Sequence, residues 1–228
     1  MDKIVIGNLK TLLNADDIVS YIKKIRKVKN NNIVICPTSI YIPFFIKEKY
    51  SVGLQDISSY DSGAHTGEVL ASQAASLGIK YAIIGHKEQD VKTDVIAKKI
   101  KEANKYGITT ILCVGKEKQI KKEKKYIKTF LKESLTDLTK NVIVAYEPEW
   151  AIGTNIIPDN KYIEEIALYI KEVVKKEFNF DIRVVYGGSV SKENISTIKN
   201  VDILDGVLVG NASIMPQEFV EIVNTYLK

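Results

Sequence analysis

The stretch IVIGNLK (residues 4–10) decides between two architectures that the rest of the chain allows. Short apolar runs rich in valine and isoleucine alternate along the 228 residues with segments of helical spacing, as is typical of buried parallel strands joined by helices. About eight such units fit either an open doubly wound sheet or a closed eight-stranded barrel. The open sheet would carry a GxGxxG fingerprint after its first strand, and Gly7-Asn8-Leu9-Lys10 contains none. We therefore predict an α/β fold in which residues 1–228 form a single-domain (β/α)8 barrel.

The individual strands and helices are predicted from apolar runs and from a spacing of 3.6 residues. Strands are predicted over residues 4–6, 33–36, 51–54, 81–84, 109–114, 142–146, 183–186 and 206–209. Helices are predicted around Ile18, Ile22 and Ile25, over 42–47, around Ile96, Ile100 and Ala103, and along Ile163, Ile166, Ala167, Ile170, Val173 and Val174.

Composition restricts the class of protein. Hydrophobic residues make up 45% and charged residues 27% of the chain, which is ordinary for a globular protein. No run approaches the roughly 20 apolar residues of a membrane helix, and the N-terminus lacks a signal-peptide layout. Cys36 and Cys113 both lie in apolar runs, which favours reduced core thiols over a disulfide. We expect a cytoplasmic protein that does not bind membranes.

The formal charge of +5 is concentrated in KEKQIKKEKKYIK (116–128). A nucleic-acid site would interleave aromatic residues or arginine with the basic ones, and this stretch has one tyrosine and no arginine. Apolar residues recur at helical spacing through this stretch and just beyond it, at Ile120, Ile127, Leu131, Leu135 and Leu138. The lysine-rich face of an amphipathic helix is therefore favoured, and nucleic-acid binding is the weaker alternative.

Polar residues follow several of the predicted strands. In a barrel of this type the carboxyl ends of all strands open on one face, so residues at these positions are expected to converge. They are Asn8, Lys10, His86, Glu88, Glu147, Ser189, Gly210 and Asn211. Each alone could be a surface or structural residue, but together they indicate a site with acid–base groups.

Glycines after the last two strands add a second signal. YGGSV (186–190) and VGNAS (209–213) lie where barrel enzymes commonly hold a phosphate with main-chain N–H groups. Tight turns alone would explain either glycine loop, but the two together favour a phosphate site. Neither histidine has a partner at metal-site spacing, so no metal is predicted.

These motifs resemble the triosephosphate isomerase family over nearly the whole chain. The matching stretches are GNLK (7–10), SGAHTGEV (62–69), IIGHKE (83–88), AYEPEWAIGT (145–154), YGGSV (186–190) and LVGNAS (208–213). The resemblance implies a TIM barrel that interconverts dihydroxyacetone phosphate and D-glyceraldehyde 3-phosphate in glycolysis and gluconeogenesis, without a cofactor. It also implies a homodimer, or a tetramer of such dimers, and no nucleic-acid partner.

The resemblance also implies roles for individual residues. Glu147 would be the base, and His86 would be a neutral imidazole that polarises the carbonyl, since in this family a helix N-terminus disfavours the imidazolium. Asn8 would donate a hydrogen bond to the substrate, and Lys10 would supply fixed positive charge. Glu88 and Tyr186 would surround these groups.

Binding and closure are assigned in the same way. The phosphate would be held by Gly153, Ser189, Gly210 and Asn211. A lid would exclude water, with Pro148, Trp150, Ala151, Ile152 and Thr154 among its residues. Thr66 would belong to an arm that enters the neighbouring subunit.

The chain departs from the family pattern at Leu9, Lys87, Gln89 and Lys116, where the family has tryptophan, serine, arginine and glutamate. Two alternatives stay open. One is the same chemistry on a four-carbon ketose phosphate, and the other is a phosphate-binding barrel without catalysis. Retention of all four catalytic positions, Asn8, Lys10, His86 and Glu147, argues against the second.

Overall fold

Eight parallel strands close on one another in chain order, from β1 beside β2 through to β8 beside β1, in a computed structural model that describes residues 2–136, 141–151 and 157–228. The strands are β1 Ile4–Asn8, β2 Ile33–Cys36, β3 Ser51–Leu54, β4 Tyr81–Ile84, β5 Thr109–Val114, β6 Val142–Tyr146, β7 Arg183–Tyr186 and β8 Gly206–Val209. The predicted barrel is confirmed, and the open sheet is excluded by the β1–β8 pairing.

Strand β1 is longer than predicted and ends at Asn8 rather than at Ile6. The apolar run stops at Ile6, but Gly7 pairs with Ile35 and Asn8 with Cys36 on the neighbouring strand. Asn8 is therefore the last strand residue, and its backbone is fixed by the sheet itself.

The helices pack outside the sheet. Their bounds are α1 Ala15–Ile25, α2 Ile42–Lys47, α3 Ala71–Ser76, α4 Thr93–Lys105, α5 Ile120–Ser134, α6 Asn160–Phe178, α7 Ile195–Lys199 and α8 Pro216–Leu227. Helix α1 begins with a capping box, in which the Asn14 side chain accepts from the Asp17 N–H and the Asp17 side chain accepts from the Asn14 N–H. Within the described ranges, no helix is long and apolar enough to cross a membrane.

Helix α5 accounts for part of the positive charge. It is amphipathic as expected, and its lysines reach carboxylates of α6: Lys124 pairs with Glu165 at 2.7 Å, and Lys128 and Lys132 pair with Glu177 at 3.3 and 3.1 Å. The helix ends one residue before Leu135, which is extended yet still buried, and Leu138 lies outside the described residues.

Side chains from alternate strand positions fill the inside of the barrel, so it is a packed core and not a channel. Ile4 and Ile6 of β1 lie there with Cys36 and Cys113, and both thiols are free and buried. A second and larger apolar layer separates the sheet from the helices. The two packed layers leave the carboxyl ends of the strands as the place where polar groups can meet.

Candidate active site

A cavity of about 510 Å³ opens at the carboxyl ends of the strands. It brings together every polar residue that was predicted at the strand ends: Asn8, Lys10, His86, Glu88, Glu147, Ser189, Gly210 and Asn211. These residues come from five different strand exits, and only closure of the barrel makes them neighbours.

Glu147 and His86 form the buried centre of this cavity. His86 Nε2 lies 3.4 Å from Glu147 Oε2, and the two side chains are only 7% and 8% exposed. Glu147 Oε1 is buried and has no hydrogen-bond partner among the described residues. Within the described part of the chain, Oε1 is therefore the oxygen of this carboxylate that is left without a hydrogen-bonding contact inside the cavity.

The other nitrogen of His86 is fixed by the main chain. His86 caps the short 3-10 turn Lys87–Gln89, and its Nδ1 accepts the Glu88 N–H at 3.3 Å. Because Nδ1 is the acceptor, a neutral imidazole carries its proton on Nε2, facing Glu147 and the cavity. That tautomer is assigned from the hydrogen bonds.

Opposing effects act on the pKa of His86. Burial and the charge of Lys10 lower the pKa of His86, but the hydrogen bond and charge of Glu147, with the charge of Glu88, outweigh them and raise it above its ordinary value. This direction favours the imidazolium, whereas the resemblance implied a neutral imidazole, because two carboxylates face the ring here. A raised folded-state pKa stabilises the fold below the unfolded value, and this contribution is lost as the pH rises through the folded value.

Lys10 is held in an unusual backbone conformation. Its φ is +51°, the left-handed region, which costs a non-glycine residue roughly 1–3 kcal/mol. Its N–H donates to Asn8 Oδ1 at 3.1 Å, and its carbonyl accepts from Thr38 Oγ1 at 3.0 Å and Gln55 Nε2 at 2.7 Å. Lys10 Nζ pairs with Glu88 Oε1 at 2.6 Å. The ammonium is therefore aimed into the cavity by its surroundings.

Glycine is favoured for different structural reasons at positions 187, 188 and 210. A Cβ on Gly187 would lie 2.6 Å from Glu147 Cγ, and one on Gly188 would lie 3.1 Å from Pro148 Cγ. These two positions leave room for neighbouring side chains, which is a reason that the sequence did not suggest. A Cβ on Gly210 would meet only Lys10 Cε, at 3.8 Å, so this position is open toward the lysine as an anion site requires.

The remaining predicted residues are placed as follows. Ser189 has φ +46°, and its hydroxyl donates to the Ala151 carbonyl at 2.5 Å. Trp150 packs edge-on against Tyr162, with ring centroids 6.1 Å apart. Tyr186 is fully buried. Pro148 is buried next to Glu147, whereas Ile152, Gly153 and Thr154 lie outside the described residues.

Thr66 is exposed and does not line the cavity of its own chain. The stretch around it is held by ion pairs to α4, from Asp56 to Lys99 at 2.6 Å and from Asp61 to Lys105 at 2.6 Å.

Sequence reasoning missed Gln55 and left the role of Gln89 open. The Gln89 amide donates to the Gln55 carbonyl at 2.8 Å, and Gln55 in turn holds Lys10. Lys87 is exposed and lies at the edge of the cavity. Leu9 is buried and continues the pairing of β1 through an N–H bond of 3.0 Å to Cys36. Spacing gives no signal for such contacts, since they join residues far apart in the chain.

No group of three or more His, Cys, Asp or Glu side chains that could hold a metal occurs in the part of the chain that the structure describes. The cavity offers acid–base side chains, a fixed lysine and an open glycine turn. Fold and cavity together define a (β/α)8 barrel with an acid–base site at the carboxyl ends of its strands.

Comparison with known proteins identifies the family. The family model described as triosephosphate isomerase matches residues 3–226. The triosephosphate isomerase of Francisella tularensis subsp. tularensis (strain SCHU S4 / Schu 4) is 34% identical over 246 residues, covering 98% of this chain and 97% of the relative. That of Neurospora crassa is 33% identical with 97% of each chain covered, and that of Clostridium botulinum (strain Loch Maree / Type A3) is 33% identical with 97% and 98% covered. The chain therefore belongs to the triosephosphate isomerase family.

The charge of His86 can be measured directly, because the sequence contains only two histidines. An NMR titration should give His86 a midpoint above its ordinary value, and Glu147→Gln should lower that midpoint because burial then meets less opposition. His65→Asn assigns the two signals. Glu149→Gln, an exposed carboxylate two residues away, should leave the midpoint unchanged. If the His86 midpoint is the same in Glu147→Gln as in the wild type, the described geometry is contradicted.

Gly187→Ala should displace Glu147, since the new methyl would lie 2.6 Å from its Cγ. We expect a loss of kcat on the order of 100-fold and destabilisation of about 1–3 kcal/mol, measured by steady-state kinetics and urea unfolding. Gly210→Ala adds the same methyl into open space and should unfold at the wild-type urea concentration. Full activity of Gly187→Ala would show that Glu147 does not need this space.

Proposed function

We propose that the protein interconverts dihydroxyacetone phosphate and D-glyceraldehyde 3-phosphate. Membership of the triosephosphate isomerase family supports the substrate. The observation that carries the proposal is the pair His86–Glu147, with Nε2 and Oε2 3.4 Å apart and Glu147 Oε1 unpartnered in the same cavity. None of the relatives described above is named for a four-carbon substrate, so that alternative has no support.

In the proposed mechanism Glu147 removes a proton from the carbon next to the carbonyl. The C–H electron pair forms the double bond of an enediolate, and the carbonyl pair moves to oxygen. The neutral imidazole of His86 donates its Nε2 proton to that oxygen and recovers one from the neighbouring hydroxyl. Glu147 then returns its proton to the adjacent carbon, which completes the isomerisation without net proton uptake.

Asn8 and Lys10 would stabilise the charge that develops on the substrate oxygens. Asn8 Oδ1 is occupied by the Lys10 N–H, so the amide NH2 remains as the donor toward substrate. Lys10 Nζ adds positive charge at the wall of the cavity opened by Gly210. Before substrate binds, Glu88 neutralises that lysine.

The phosphate would bind at the turn of Gly210 and Asn211 and near Ser189, which line the same cavity. Asn211 begins the 3-10 turn Asn211–Ile214, so main-chain N–H groups are available there. From the family resemblance we also propose Gly153 as a phosphate ligand.

Residues 151–155, Thr154 among them, would form the lid, with residues 148–150 as one hinge and Ile152 over the reacting carbons. Excluding water protects the enediolate, which otherwise eliminates its phosphate. Two contacts of Ala151 support a defined start of this segment: its N–H donates to the Pro148 carbonyl at 2.8 Å, and its carbonyl accepts from Ser189.

The proposal also covers domain organisation, cellular location and metabolic role. We treat residues 1–228 as one catalytic domain, since every described strand belongs to one closed sheet. A cytoplasmic location and a place in glycolysis and gluconeogenesis follow from the proposed substrate, and the reaction is written without a metal or cofactor.

Replacing Glu147 tests the assignment of the base. In a coupled assay with dihydroxyacetone phosphate, Glu147→Gln should lower kcat by about 10³-fold, because the amide cannot accept the proton. Glu133→Gln, which changes an exposed carboxylate on α5, is the control and should retain wild-type kcat. A four-carbon ketose phosphate, assayed in parallel, should be turned over more slowly. Wild-type activity in Glu147→Gln would remove Glu147 from the mechanism, and an inactive wild type would remove the proposed function.

A homodimer is proposed on separate grounds. Tyr60 is 47% exposed and stacks on His65, with ring centroids 3.6 Å apart. The connections after β1 and β2 expose Leu12 and Ile40 at 55% and 71%. Thr66 is exposed in the same connection after β3 as Tyr60, which supports its proposed entry into the neighbouring subunit.

Sedimentation tests the dimer. The wild type should sediment at twice the chain mass of 25.6 kDa, and Tyr60→Asp should shift it toward the monomer with loss of activity, since a charge is costly in an apolar interface. Leu168→Asp is the control. It also places a charge at an exposed apolar residue, since Leu168 is 41% exposed, but this residue lies on α6. If Tyr60→Asp and Leu168→Asp sediment at the same mass, the surface around Tyr60 is not the dimer interface.

A further inference from the structure

Glu123 is a buried carboxylate outside the cavity that the reaction does not use. It lies in the first turn of α5 and is 0% exposed. Burial raises the pKa of Glu123, while the N–H groups of Glu117 and Lys116 lower it. A buried acid is costly unless it is hydrogen-bonded, so its partners indicate what it does.

The partners of Glu123 are main-chain groups of the loop between β5 and α5. Oε1 accepts the Lys116 N–H at 3.1 Å, and Oε2 accepts the Glu117 N–H at 2.6 Å. One carboxylate therefore ties both N–H groups to α5. Bonds from main-chain N–H to a charged acceptor are among the stronger hydrogen bonds.

The beginning of this loop touches the backbone of Glu147. The Glu147 N–H donates to the Val114 carbonyl at 2.8 Å. The next residue, Gly115, has φ +146°, and a Cβ there would lie 2.6 Å from the carbonyl carbon of Glu147. The loop backbone thus forms the surface against which Glu147 rests.

The end of the same loop supports the turn that follows Glu147. Lys118 Nζ lies 5.6 Å from the centre of the Trp150 ring. The Tyr162 hydroxyl donates to the carbonyls of Glu117 and Lys118 at 3.5 and 3.4 Å, and its ring contacts Trp150 edge-on. Movement of the loop would therefore reach both the proposed base and Trp150.

We propose that Glu123 is a positioning residue for the isomerisation: by holding the N–H groups of Lys116 and Glu117 it fixes the loop that places Glu147 and Trp150. This role rests on the proposed function of Glu147. The two oxygens accept three bonds from two successive donors: the Lys116 N–H reaches Oε1 at 3.1 Å and Oε2 at 3.2 Å, and the Glu117 N–H reaches Oε2 at 2.6 Å. Glutamine fills the same volume but lacks the charge, and in either orientation its NH2 group faces an N–H that the carboxylate accepts.

The test compares Glu123→Gln with Glu133→Gln, an exposed carboxylate on the same helix. Glu123→Gln should lower kcat for dihydroxyacetone phosphate by at least about tenfold, while KM changes by less than about twofold, because base placement and not substrate binding is impaired. Glu133→Gln should change neither. Circular dichroism and thermal unfolding establish that each variant is folded at the assay temperature.

Trp150 supplies a second readout, since it is the only tryptophan in the chain. Glu123→Gln should shift the Trp150 emission to longer wavelength and increase its quenching by acrylamide, relative to Glu133→Gln. Unchanged kcat in folded Glu123→Gln, or unchanged emission, overturns the proposal. An inactive wild type would reject the proposed function instead, and the emission comparison would still decide whether Glu123 holds the loop.

Should Glu123→Gln fail to fold, Tyr162→Phe carries the test. It removes the hydroxyl that bonds the loop carbonyls but keeps the ring against Trp150. We expect a loss of kcat of about threefold with KM unchanged, in line with one weak hydrogen bond. Wild-type kcat in that variant would overturn the proposal.

Discussion

Pairing of β1 with β8 is the constraint on which the site depends. Residues from the exits of β1, β4, β6, β7 and β8 share one cavity only because the sheet is closed. Ile4 pairs with Gly206 at this seam, and any Cβ on Gly206 would collide with the Ile4 backbone. A glycine in a strand usually weakens it, but here it lets two backbones approach closely. The seam fixes Asn8 and Gly210 on adjoining sides of the site.

Inside the closed barrel the site keeps the carboxylate of Glu147 and the imidazole of His86 close together and shielded from solvent. Glu147 and His86 are supported from different directions, by the loop after β5 and by the turn after β4. Lys10 is held independently through Asn8 and Gln55. Positioning each group by its own set of main-chain contacts gives an arrangement that does not have to reorganise during the proposed reaction.

The sequence predicted the fold well because buried parallel strands are continuous apolar runs. A predicted strand is too short where a polar residue interrupts the apolar run. The apolar run of β1 ends at Ile6, but the strand continues through Asn8 because Gly7 and Asn8 pair with β2. Leu135 keeps the helical spacing of α5 yet is already extended, so spacing alone does not mark the end of this helix. Local patterns describe the chain only up to the point where neighbours in space determine its conformation.

The site was predicted unevenly for the same reason. Strand-end residues such as His86 and Glu147 are readable because topology alone brings them together. Gly187 was assigned to phosphate approach, whereas its lack of a side chain makes room for Glu147. Glu123 sits in a lysine-rich stretch that reads as solvated surface, and its burial depends on loop N–H groups six and seven residues earlier. Both cysteine thiols lie in the barrel interior, where burial raises the pKa of Cys36 to about 12, and burial with the charge of Glu147 raises the pKa of Cys113. Peroxides and electrophiles attack the thiolate, so oxidative damage at these two cysteines must wait until the strands separate.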